Sequence, residues 1–198
     1  MMLNMYKFNS RIRYSELDSE GKLSLEALLD YFQDCSTFHS EDIGVGLAYL
    51  AKRNLAWVLS AWQINVVRYP DLGEQVVIGT LPYEFKGFMG CRNFLMETED
   101  GEPLAYANTI WTLMNMIEMR PVRVTEEMVK AYVLEEKLPM NYAPRKIAVP
   151  DKAGIEKENM EVKYHHLDTN NHVNNGQYIR ISMEYLPEKF AIKQMRAE

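Results

Sequence analysis

Asp168, Asn170, Asn171, His172, Asn174 and Asn175 fall within eight residues, in the run DTNNHVNN. Histidine titrates nearest neutrality, so it is the usual proton carrier of a site. A carboxylate four residues before His172, with Asn170 between, can orient the ring or share in base work. Tyr178, Ile181 and Tyr185 then recur at helical spacing. They predict a helix whose first N–H groups point at the turn. Val162–Tyr164, before the turn, reads as a strand. Asp and Asn also favour turns and caps, so the plain alternative is a polar turn in which His172 has no chemical role.

Other reactive side chains fit less well. His165 and His166 do not share a common metal-ligand spacing with His172, so no metal and no cofactor is expected. Cys35 falls on the apolar face of a predicted helix and reads as a small core residue. Trp57, Trp62 and Trp111 read as core, and His39 as a loop residue.

The elements before the turn supply its scaffold. Tyr6–Tyr14 alternates as a strand. Ser24 can cap a helix in which Leu25, Leu28, Leu29, Phe32 and Cys35 share one face. A polar loop is expected at 39–46 and a short helix at 47–53. From Ala56 the period changes to two, giving strands at 56–69, 75–85, 88–98 and 104–115, with turns at Pro70–Gly73 and Asp100–Gly101. Four strands joined by hairpins predict an antiparallel meander. An apolar helix that must be buried then predicts an α+β pair of layers, a curved sheet round the helix. Thr125 can cap a helix reaching Val133. Pro139, Pro144 and Pro150 break regularity after it.

The polar turn is the second copy of an earlier segment. Asp168 follows Asp18 by 150 positions, and at that offset Tyr14 meets Tyr164 and Leu17 meets Leu167. The order of elements matches too, which implies a duplicated fold. The first copy has Glu20 and Lys22 where the second has Asn170 and His172. It keeps the scaffold and lacks the histidine. The expected organisation is a first unit at 1–135, a linker at 136–160 and the start of a second unit at 161–198. The second sheet would extend beyond Glu198, so the second unit is expected to stop after its helix, with another strand beginning at about 190–196.

The chain has 198 residues, 47% of them apolar, and a net charge of −6. That is enough for a sizeable core and argues against a nucleic-acid binder. No run of about 18 apolar residues predicts a membrane span. MMLNMYKFNSR has neither the apolar region of a signal peptide nor an Arg/Ser-rich leader. Two cysteines without paired spacing fit a reducing, cytoplasmic compartment.

LDTNNHVNNGQYI, followed by a helix and Leu-Pro, resembles the signature of the acyl-acyl carrier protein thioesterases of bacteria and plants. The resemblance implies two hotdog domains in tandem, each a long helix wrapped by an antiparallel sheet. Here the first would be complete and the second truncated after its helix. It implies that Asp168, Asn170 and His172 are catalytic in attack of water on a carbonyl, with the N–H groups of Val173–Asn175 facing the developing oxyanion, and that a further catalytic residue lies just past Glu198. It implies acyl binding chiefly by the first hotdog. The reaction would release a free fatty acid from fatty acyl-acyl carrier protein, in fatty acid biosynthesis, with acyl carrier protein as partner. Arg145, Lys146, Lys163 and Arg180 are candidates to meet that acidic protein. An acyl-CoA thioesterase and a catalytically impaired acyl-binding or scaffold protein are the alternatives, and a homodimer stays open.

Overall fold

Ser24 starts the long helix. Its side-chain oxygen accepts from the Ala27 N–H at 3.1 Å, and α1 runs Leu25–Asp42. The computed structural model describes residues 4–149, 151, 154–168, 172–186 and 191–198. Leu25, Leu28, Leu29, Phe32 and Cys35 are all buried on one face of α1, as their spacing predicts. The helix does not stop at His39, where a loop was expected. The hydroxyls of Ser36 and Thr37 both bond back to the Gln33 carbonyl, and Ser40 to the Ser36 carbonyl. Residue types that favour loops are thereby satisfied inside the helix. A short helix α2, Leu47–Ala51, follows.

The strands are β1 (Tyr6–Arg11), β2 (Leu55–Val66), β3 (Gln75–Lys86), β4 (Met89–Thr98), β5 (Pro103–Asn115) and the two-residue β6 (Arg120–Pro121). Helix α3, Glu126–Ala131, is capped by Thr125 as expected. β3, β4 and β5 form a meander, but β2 does not join it through β3. It pairs antiparallel with β5, while β3 pairs with β1. The connection from β2 to β3 cannot fold back as a hairpin, because it is held across the start of α1. There the Leu23 N–H bonds the Pro70 carbonyl at 2.9 Å and Lys22 pairs with Asp71 at 2.6 Å. Arg68 braces the same corner by bonding both Glu74 and Glu102. Bulges at Leu59/Ala61 and Pro82/Glu84 bend the sheet around the helix. In the core, the Phe32 and Phe94 ring centroids lie 5.2 Å apart, and Trp62 lies 5.9 Å from Phe94.

The sheet's other face carries two buried amides that hold the proline-rich connector. Gln63 bonds the Asn141 carbonyl and the Ala143 N–H. Asn93 accepts from the Leu138 N–H and the Tyr142 hydroxyl, and donates to the Ala107 carbonyl.

The second unit begins with a 3₁₀ turn at Tyr164–His166, not with the expected strand. Helix α4, Asn175–Glu184, packs on α1 and contributes Ile179 to the core, leaving Tyr178 and Tyr185 exposed. After this helix comes the further strand expected at about 190–196. Strand β7, Gln194–Ala197, adds to the free edge of β2 and pairs Trp62 with Ala197 and Asn65 with Gln194. The sheet order is therefore β1-β3-β4-β5-β2-β7, with β6 on β5.

Candidate active site

The two copies of the turn fold alike. Each opens with a 3₁₀ turn, Tyr14–Glu16 and Tyr164–His166. Each closes with a bridge, Leu17 to Leu23 and Leu167 to Val173. The Asp18 N–H bonds the Lys22 carbonyl at 2.8 Å, and the Asp168 N–H bonds the His172 carbonyl at 2.8 Å. Asp18 Oδ1 accepts from the Lys22 N–H at 3.1 Å, as Asp168 Oδ1 accepts from the His172 N–H at 3.0 Å. His166 Nδ1 accepts from the Lys163 N–H where Glu16 accepts from Arg13. His166 is thus a structural cap in the position of a glutamate.

That geometry gives Asp168 a first task. Its carboxylate holds the backbone of the turn at His172, while the His172 side chain is exposed. Asn170 lies outside the described residues. Asn174 caps α4 by accepting from the Gly176 N–H at 2.8 Å, and its own N–H is taken by the His166 carbonyl at 2.8 Å. The expectation that all of Val173–Asn175 offers N–H groups to an oxyanion is corrected on this point. Asn174 is committed to the turn, because closing the repeat's loop uses that donor.

Asp168, Asn174 and Asn175 line one end of a cavity of about 870 Å³. Gln33 and Asp34 of α1 line it beside them, and the Asn175 amide donates to Gln33 Oε1 at 2.9 Å. From there the cavity follows α1 past Ser36, Thr37 and Ser40 to Leu50, Trp57, Phe85, Gly90 and Trp111. A mostly apolar slot along α1, with amides and carboxylates beside the turn and Ser36, Thr37, Ser40 and Arg92 farther along, fits an apolar ligand with a polar head. His172 is not among the lining residues.

Residues 3–132 match the model of the acyl-ACP thioesterase N-terminal domain, and residues 150–197 match that of the acyl-ACP thioesterase C-terminal domain. The chain belongs to the acyl-ACP thioesterase family. Within that family it is 26% identical, over 211 aligned positions, to a palmitoyl-acyl carrier protein thioesterase of Arabidopsis thaliana, covering 98% of this chain and 51% of that one. It is 30% identical over 189 positions to an acyl-[acyl-carrier-protein] hydrolase of Cuphea viscosissima, covering 89% of this chain and 45% of that one. An acyl-ACP thioesterase from Bacteroides thetaiotaomicron superposes with a TM-score of 0.80 at 25% identity, over 92% of this chain and 74% of that chain. The chain spans about half the length of the curated relatives it matches.

In this family member the first unit brings side chains to the site that motif reading missed. Gln33 and Asp34 carry no motif, and their approach to Asn175 depends on α4 packing on α1. Trp57 and Trp111, read as core from the sequence, line the cavity, whereas Trp62 is core. Cys35 is buried, and burial pushes its thiol up to about 12, which removes it as a nucleophile. Arg92 had a signal that could have found it. It shares the inward-facing alternation of Phe94 and Met96, where a cation is out of place.

Proposed function

We propose that this chain binds a fatty acyl chain in the first unit's cavity and presents its thioester to the turn at Asp168–Asn175 for hydrolysis. The observation that carries this reading is the continuity of the cavity from that turn to the apolar wall at Trp57 and Trp111. Asp168 and His172 share the base role, and Asn170 holds water or the carbonyl. The Asn175 N–H, first in α4, faces the developing oxyanion. Water adds to the acyl carbon, the carbon–sulfur bond breaks, and the thiolate takes up a proton. The products are a fatty acid and a carrier thiol. Acyl carrier protein is the proposed carrier, and the reducing cytoplasm the proposed compartment. The boundaries at 1–135, 136–160 and 161–198 go with this reading.

A second reading is supported by the exposed His172 side chain, which lies apart from the lining. In that reading the chain binds acyl groups without turning them over. One experiment tests both. Thiol release from palmitoyl-acyl carrier protein and from palmitoyl-CoA is followed alongside binding of a fluorescent fatty acid. The hydrolase reading expects release that falls by orders of magnitude in His172→Ala. Binding with no release favours the second reading. Undiminished release by His172→Ala removes the histidine from the mechanism.

A further inference from the structure

Arg92 is a buried cation without a buried anion. It is 7% exposed, and it lines the acyl cavity. One amino group, Nη1, donates to His39 Nδ1 at 3.1 Å and to Thr80 Oγ1 at 3.2 Å. The guanidinium carbon stands 5.4 Å from the Tyr132 ring centroid. These partners are neutral or aromatic, and among the described residues no carboxylate lies within ion-pair distance of Arg92. The helix hydroxyls along the same wall are already satisfied. Ser36 and Thr37 bond the Gln33 carbonyl, and Ser40 bonds the Ser36 carbonyl and the Tyr132 hydroxyl. With the Tyr132 hydroxyl also engaging its guanidinium, Arg92 still has more N–H groups than partners in this stretch.

Its position along the slot follows from α1. Gln33 meets Asn175 at the polar end, and His39, which holds Arg92, comes six residues later. At about 1.5 Å of rise per residue, that separation is about 9 Å. A chain whose thioester sits at the turn therefore passes Arg92 several carbons beyond its carbonyl. A wholly apolar chain there strips water from the guanidinium and returns no acceptor. A chain with an oxygen at that level replaces the water.

We propose that Arg92 makes this cavity selective for acyl chains that carry a hydroxyl or keto oxygen part-way along their length. The inference rests on the acyl-binding reading above and adds the substrate class. A site built to donate a hydrogen bond discriminates against the analogue that lacks the acceptor.

The test is a binding series on the full chain. The probes are the non-hydrolysable dodecanoyl-pantetheine amide and its analogues with a hydroxyl or keto group at successive mid-chain positions. The amide removes the carboxylate that would otherwise seek Arg92 itself. The expected result is that one or two adjacent mid-chain isomers bind about tenfold to a hundredfold tighter than the saturated probe, the range of a hydrogen bond to a charged group. In Arg92→Met that preference disappears and the saturated probe gains. Arg92→Lys retains part of it. If Arg92→Met does not fold, the wild-type series alone decides. Saturated probe binding at least as tightly as every oxygenated isomer overturns the inference and leaves the acyl reading standing. Failure of every probe to bind overturns the acyl reading and the inference with it.

Discussion

Acid should weaken this fold through one histidine. His39 stacks on Tyr6 with centroids 5.0 Å apart, meets the edge of Tyr132 at 5.4 Å, and accepts from Arg92. Burial, then the Arg92 charge, pushes its pKa down to about 4, with Asp42 acting weakly the other way. In an unfolded chain the same ring titrates near about 6.5. The unfolded state therefore takes up the proton first as pH falls. The stability contributed by neutral His39 is fully present above pH about 6.5 and is lost as pH falls toward about 4. The full interval corresponds to about 3 kcal/mol at about 1.4 kcal/mol per pH unit. His39 is only half-buried, and solvent screening reduces this to about 1–2 kcal/mol. The assay is urea unfolding at a series of pH values for the wild type and His39→Gln. The glutamine oxygen still accepts from Arg92 and does not titrate. It starts less stable at neutral pH, because the ring stacking is gone, but its curve should be flatter between pH about 6.5 and about 4 by that 1–2 kcal/mol. Parallel curves would refute the argument.

Three further outcomes follow from particular contacts. Asn93→Ala strands the Leu138 N–H and leaves the Tyr142 hydroxyl with the Leu138 carbonyl alone, and should cost about 1–3 kcal/mol, read by chemical denaturation; a loss under about 0.5 kcal/mol would contradict the role of this amide. Gly90→Ala places a Cβ 2.9 Å from the Phe85 ring and 3.2 Å from Trp57, so overpacking of about 1–3 kcal/mol and weaker binding of long acyl probes are expected together. Asn174→Ala removes the α4 cap and should destabilise by about 1 kcal/mol, with faster amide exchange confined to the first turn of that helix. Unchanged exchange there would deny the cap its importance.

The local pattern carried much of this structure. The apolar spacing of Leu25 to Cys35 set the buried face of α1, and Ser24 and Thr125 marked their helix starts. The 150-residue offset anticipated two turns whose hydrogen bonds match almost one for one. Local pattern failed where a partner elsewhere in the chain supplied the energy. Pro70–Gly73 looked like a hairpin turn, but Leu23 and Lys22 hold it across α1. Val162–Tyr164 looked like a strand, but the repeat builds a 3₁₀ turn there, capped through His166.

The same division runs through the site. Residue order alone placed Asp168, Asn170 and His172 in one short turn ahead of a helix, since groups two and four positions apart cannot stray far. The sequence could not reveal that Gln33 of the first unit meets Asn175 of the second, 142 residues away. Nor could it show that Arg92 and His39, 53 residues apart, share a hydrogen bond in the wall of one cavity. Those pairs exist because α4 packs on α1 and α1 packs on the sheet. Packing of that kind depends on shape summed over many apolar contacts, and no short motif encodes it.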